Sequence, residues 1–173
     1  MMILYDYTAH LYLPAIRQEG LSRGTVLINL SERLNAVWLT NDPTAADHGL
    51  AQDLEICEQL SRQRGRAVRM LNKLAVRIAV KIPSIDPRLV YWPKWAKNRL
   101  DPYFYDALAK TGGNMDHTWW LYRGVISPSR FMSIDILEPL TEYDLECEKA
   151  LTEGGAAFID AMGNRLTGAA LAG

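Results

Sequence analysis

Apolar and polar residues alternate most regularly between Lys73 and Pro83. There Leu74, Val76, Ile78, Val80 and Ile82 interleave with Ala75, Arg77, Ala79 and Lys81. A period of two over this length predicts a strand with one buried face, closed by Pro83 and Pro87. Met2 to Tyr7 is apolar and β-rich and predicts a first strand. Thr8 then serves as a helix N-cap, Leu11, Leu13, Ile16 and Leu21 bracket a short helix, and Gly20 stands where a C-cap glycine belongs. Pro14 falls in the first turn of that helix, where it is tolerated. Thr25–Leu30 and Ala36–Thr40 predict two more strands, the second running into the turn Asn41-Asp42-Pro43.

Helical spacing covers Ala51 to Arg64, with Leu54, Cys57 and Leu60 on one side and Gly65 ending the run. It returns from Pro93 to about Lys110, broken at Asp101-Pro102 and ended by Gly112-Gly113-Asn114. Thr118–Ile126 and Arg130–Leu137 predict strands joined across Ser127-Pro128. A helix follows from Thr141 to about Met162, and the Gly/Ala-rich end after it is expected to be loose. This order predicts an α+β domain with a mixed or antiparallel sheet flanked by short helices, rather than a doubly wound fold. The domain spans 1–140, with 141–173 as a C-terminal helix and tail.

Composition narrows the function more than it names it. The 173 residues carry 19 Lys and Arg against 20 Asp and Glu, a formal net charge of -1. That balance excludes a histone-like polycation. No apolar run approaches the ~20 residues of a membrane span and no leader pattern opens the chain, so a cytoplasmic protein is expected. Cys57 and Cys147 stand far apart without a C-x-x-C pair or nearby His, and no metal site is expected. Phosphate-loop, dinucleotide-fold, zinc-protease and serine-hydrolase motifs are all missing.

The chemistry-bearing segments each admit two readings. Tyr5-Asp6-Tyr7-Thr8 and Val37-Trp38-Leu39-Thr40-Asn41-Asp42-Pro43 end apolar strands with polar and aromatic groups, as strand residues with caps or as the lining of a cleft. Arg77 is out of phase with its apolar neighbours. It belongs to a solvated strand face, or to a cleft where a guanidinium grips phosphate or carboxylate, and Lys73 and Lys81 share its phase. Arg62, Arg64, Arg66 and Arg69 around Gly65 read as a solvated bend or a grip on a nucleic-acid backbone. The aromatic residues from Tyr91 to Tyr122 are core packing, with any surplus ring free to stack on a base. Asp116-His117 is turn chemistry or an acid/base pair.

Three segments together, LYDYTAHLYLPAIRQEGL, AVWLTNDP and KLAVRIAVKIP, resemble the amino-terminal half of ADP-ribosyltransferase-like proteins. The likeness is to small bacterial and phage members related to DarT-type DNA ADP-ribosyltransferase toxins. It covers about residues 3 to 83, with a weaker echo in WWLYRGVI.

The resemblance implies a split, bent sheet that holds NAD as a substrate. It places Asp6 with Tyr5 and Thr8 on the first strand near a ribose, and Trp38 with Thr40 on the second, against nicotinamide. His48 lies near the same ring, Arg17 or Arg77 offsets the pyrophosphate, and Asp135 or Glu138 is the late acid. Asp6 stands where the family usually has His. The implied function is transfer of ADP-ribose from NAD to a macromolecular acceptor, nucleic acid or protein. The alternative is a catalytically inactive member acting as a binding or inhibitor protein against a host defence system. RNA 2'-phosphotransfer is a related reading of the same fold.

Overall fold

The computed structural model describes residues 1–29, 31–44, 48, 72–142, 144–146, 158–159 and 165–166. The expected helix at 51–64, the arginines 62, 64, 66 and 69, and both cysteines lie outside the described residues.

Six strands form one antiparallel sheet: β1 (Met2–Thr8), β4 (Val37–Thr40), β5 (Val76–Ile82), β6 (Leu89–Tyr91), β7 (Trp119–Tyr122) and β8 (Phe131–Ile136), in the order β6-β7-β4-β1-β5-β8. A separate ribbon pairs β2 (Thr25–Leu27) with β3 (Arg33–Asn35). Two further short strands, β9 (Phe158–Ile159) and β10 (Arg165–Leu166), pair antiparallel where the sequence predicts the end of a helix and a loose tail. No helix among the described residues is long and apolar enough to cross a membrane.

Register fixes which side chains share a face, because cross-strand partners point the same way. Leu4, Asp6 and Thr8 lie opposite Val80, Ile78 and Val76. That face carries the larger core, in which Leu4, Val37, Leu39, Ile78, Val80 and Tyr122 are buried beneath Leu13 and Ile16. The last two belong to α1 (Leu13–Glu19), which begins beyond a 3-10 turn at His10–Tyr12. Thr8 is the last residue of β1 rather than a helix cap, and neither start carries a side-chain cap. Gly20 closes α1 with φ +92, a left-handed backbone, and Leu21 then bridges to Ile126.

The opposite face divides in two. Over β4 and β7 it is covered by α2 (Trp92–Lys97) and α3 (Pro102–Thr111): Trp92 and Ala96 of α2 and Leu100 of the turn between the helices are buried with Trp119 and Leu121, and Phe104 and Leu108 of α3 pack against them. Asp101 caps α3, accepting the Tyr103 N–H. Over β1, β5 and β8 the same face is polar, presenting Tyr5, Tyr7, Arg77, Ser133 and Asp135.

The seam between these halves is thin. β1 pairs with β5 over seven register positions and β4 with β7 over four, yet β1 meets β4 at a single register pair, Tyr5 opposite Thr40. At the far end of the sheet the buried Asp86 carboxylate knots the β5–β6 turn to its neighbours. It accepts from Arg88 Nε and Nη2, from Arg130 Nη1 at 3.0 Å and from the Tyr122 hydroxyl at 3.3 Å. These bonds, those from Arg88 foremost, hold the carboxyl well below the usual carboxylate range.

Candidate functional site

The polar half-face gathers residues from three strands and one loop. Arg77 on β5 lies opposite Asp135 on β8 and donates Nε and Nη2 to the same oxygen, Oδ2, at 3.2 and 3.1 Å. Ser133, two residues earlier on β8, donates its hydroxyl to that oxygen at 3.1 Å. The remaining guanidinium nitrogen, Nη1, donates to the Pro43 carbonyl at 2.6 Å. On β1, the ring of Tyr5 lies 5.5 Å from the Arg77 guanidinium carbon, within cation–π range. Arg77 is therefore fixed from three directions.

The loop after β4 closes over this patch. The Tyr7 hydroxyl donates to the Asp42 carbonyl at 3.4 Å, and the Tyr7 ring stacks on His48 at 6.4 Å. His48 Nδ1 accepts the Trp119 indole N–H at 2.9 Å, which leaves the ring proton on Nε2, 3.6 Å from Asp42 Oδ2. Asp42 is held below the ordinary carboxylate value by two bonds from Thr44, with a smaller contribution from His48. Burial pushes the Tyr7 phenol up to about 12, against the opposing pull of Arg77. Trp119, His48 and Asp42 thus form a chain leading from the second core to the polar patch.

Asp6 occupies the other face. It is opposite Ile78, among core residues, and no hydrogen bond or ion pair reaches it from the described residues. The residue keeps partial exposure, yet burial of the carboxyl pushes it up to about 8, so it is largely neutral at pH 7. A neutral carboxyl removes the repulsion that a first-strand acid would exert on a pyrophosphate. Arg77, on the opposite face, is not there to offset it.

The structure thus brings together Tyr5, Arg77, Asp135 and His48 from the residues the sequence singles out. Thr40 joins their edge, buried at the seam, donating to Thr118 Oγ1 at 2.9 Å and accepting the Asp42 N–H at 3.0 Å. Asp6 and Thr8 share the larger core's face. Arg17 is exposed on α1. Glu138 lies beyond β8, where its carboxylate accepts from Asn72 and its carbonyl from His10. Trp38 packs inside the second core, 4.7 Å from Trp92 and 5.7 Å from Trp119, and its indole N–H is taken by the Thr25 carbonyl.

Lys81 is exposed on β5, while Lys73 sits in the turn before it and does not continue the strand's face. Asp116 and His117 are turn residues: Asp116 accepts from Tyr105, and His117 Nδ1 lies 3.1 Å from the Asn114 carbonyl.

Ser133 is the member that pattern reading passes over, while Tyr7 and Asp42 fall within the two segments it offers as the lining of a cleft but are not given a role. Tyr7 carries a signal, since it shares the phase of Tyr5. Asp42 reads simply as a turn residue. Among the described residues there is no group of three His, Cys, Asp or Glu able to hold a metal ion. A separate depression of about 290 Å³ between Lys81, Arg130 and Met132 contains none of these side chains. Comparison with protein families, with characterised proteins and with solved structures finds no match to this chain.

Proposed function

We propose that this domain binds NAD at the seam between β1 and β4 and transfers its ADP-ribose to a macromolecular acceptor. The observation that carries the reading is the seam itself. A sheet joined there by one register pair, Tyr5–Thr40, has polar and aromatic side chains gathered on β1, on the loop after β4 and on the strands next to β1. On one face stands Asp6, neutral and without a hydrogen-bond partner among the described residues. On the other stand Tyr5, Tyr7, His48 and the Arg77–Asp135 pair.

In this reading the rings that meet the ligand are Tyr5 and Tyr7, while Trp38 acts through Trp119, the anchor of His48. Asp135, oriented by Arg77 and Ser133, faces the sugar carbon as positive charge develops on it. The bond from ribose C1′ to the nicotinamide nitrogen breaks and its electron pair leaves with nicotinamide. An acceptor oxygen or nitrogen then bonds to C1′, and its proton passes to solvent. The protein contributes position and electrostatics rather than a nucleophile.

A second reading, binding without turnover, has a specific observation in its favour: Arg77 spends Nε, Nη1 and Nη2 on Asp135 and Pro43. A guanidinium so committed supports a rigid docking face as readily as a phosphate grip. Asp6 in place of the family's His favours it too.

One experiment separates the two. Saturating NAD, at about 100 times its dissociation constant, stabilises a binder by ~2.7 kcal/mol and raises the melting temperature. A shift together with label transferred from NAD to lysate macromolecules, lost in Arg77→Ala, supports transfer. Absence of any shift removes NAD from the site and leaves the docking reading.

A further inference from the structure

β8 is the outer strand of the sheet, and among the described residues no strand pairs with its outer side. Sheet edges are ordinarily protected by Lys, Pro, brevity or a bulge, because an open ladder recruits another chain. β8 has six residues and neither Lys nor Pro. Its one irregularity against β5 falls at Met132, leaving Ser133–Ile136 in regular register. Its one charge, Asp135, is neutralised from its own sheet by Arg77. Large apolar side chains crowd the same stretch: Met132 is 53% exposed, Ile136 51%, and Leu137 and Leu140 follow them. Those four are more than a third of the eleven large apolar residues exposed among the described residues.

We propose that β8 pairs antiparallel with β8 of a second copy of this chain, about a two-fold axis at Ile134. The chemistry of the strand selects this register. Two-fold symmetry requires a residue to face itself, and its neighbours then pair crosswise. An axis at Asp135 sets carboxylate against carboxylate, which is destabilising. An axis at Ser133 sets Asp135 against Phe131.

With the axis at Ile134, the isoleucines face one another and Asp135 of each copy faces the Ser133 hydroxyl of the other. Met132, set off from regular pairing by the bulge, then lies at the Ile136 end of the other strand, so the two most exposed apolar residues of the strand come together twice. The outer backbone groups of both strands are satisfied, and the two sheets run on as one of twelve strands. The inference is independent of what the seam binds.

Sedimentation equilibrium of the full chain across a dilution series tests it. The expected result is a particle of twice the chain mass that dissociates on dilution. The double variant Met132→Lys, Ile136→Lys faces lysine with lysine, so it should be monomeric throughout while its circular dichroism and melting curve stay those of the parent. Both residues are largely exposed, so the substitutions spare the core. A parent that is monomeric over the whole series overturns the proposal, as does a dimer that the lysine variant preserves.

Ile134→Cys supplies a second readout. Two cysteines facing across an antiparallel pair have Cα atoms about 4.5–5.5 Å apart and form a disulfide under mild oxidation. A cross-linked dimer beyond that of the parent supports the axis at Ile134. A dimer that never cross-links overturns that axis.

Discussion

Arg77 and Asp135 face each other across β5 and β8, with two guanidinium nitrogens on one carboxylate oxygen at 3.1 and 3.2 Å. Both side chains keep about a third or less of their surface in water, 27% and 35%. A pair in that setting contributes modestly, about 0.5–1 kcal/mol. Arg77→Met also loses the bond to Pro43, so a total cost of about 1–2 kcal/mol in urea denaturation is expected. Asp135→Asn, which keeps a hydrogen-bond acceptor, should cost less than about 1 kcal/mol. If the site transfers ADP-ribose, both variants lose activity well beyond what these stability changes explain.

Asp6 makes stability depend on pH in the direction opposite to most acids. Its folded value, about 8, lies above the ordinary 3.8. Between those values the unfolded chain has released a proton that the folded chain still holds. Folding is therefore most favoured below about pH 4 as far as this group is concerned, and the benefit drains away as pH rises toward 8. Asp6→Asn keeps the shape and removes the proton. It should be more stable than the parent at pH 8 by roughly 1–3 kcal/mol, with the gap narrowing toward pH 5. Chemical denaturation at the two pH values measures this, and parallel pH slopes would refute the neutral, buried carboxyl.

Asp86 behaves conventionally. Its folded value is depressed, so its contribution is present above the ordinary carboxylate value and is lost as acid protonates the folded group. Asp86→Asn weakens the hold on Arg88, Arg130 and Tyr122 together, and a loss of about 1–3 kcal/mol is expected at neutral pH. Like the Asp6 variant, this one should approach the parent's stability as the pH falls, but from below rather than from above.

Gly20 tests the backbone. Its φ of +92 is strained for any L side chain, and a Cβ there would stand 2.3 Å from the Ile126 carbonyl oxygen, the acceptor of Leu21 N–H. Gly20→Ala should cost about 2–4 kcal/mol through both effects. The melting temperature should fall accordingly, with no change in the pH profile.

The legible parts of the chain are those whose pattern answers to one local force. The alternation from Leu74 to Ile82 gives β5 and places Arg77 opposite in phase to the core, and the structure agrees on both. β3 and β6 escape notice because three residues cannot display a period. Leu89–Tyr91 also stands between the prolines that close β5 and the helical spacing that begins at Pro93, in a stretch given no element. That Arg77 meets Asp135 is a matter of register between strands more than fifty residues apart, which no local pattern encodes.

Trp38 illustrates the converse. An aromatic at the end of a strand fits a ligand site or a core equally well, and only the arrival of α2 with Trp92 decides for the core. Asp6 stands in a polar run, so its burial emerges only when β1 is paired and its face is known.

Leu4, Leu39, Val37 and Ile78 belong to one hydrocarbon layer although a barely laddered joint divides the strands that bear them. What keeps the two triplets of strands together is thus grease rather than stitching. Widening that joint would break few ladder bonds, with Tyr7–Asp42 and Arg77–Pro43 as the side-chain ties across it, and its aperture would respond to the bulk of a leucine such as Leu39.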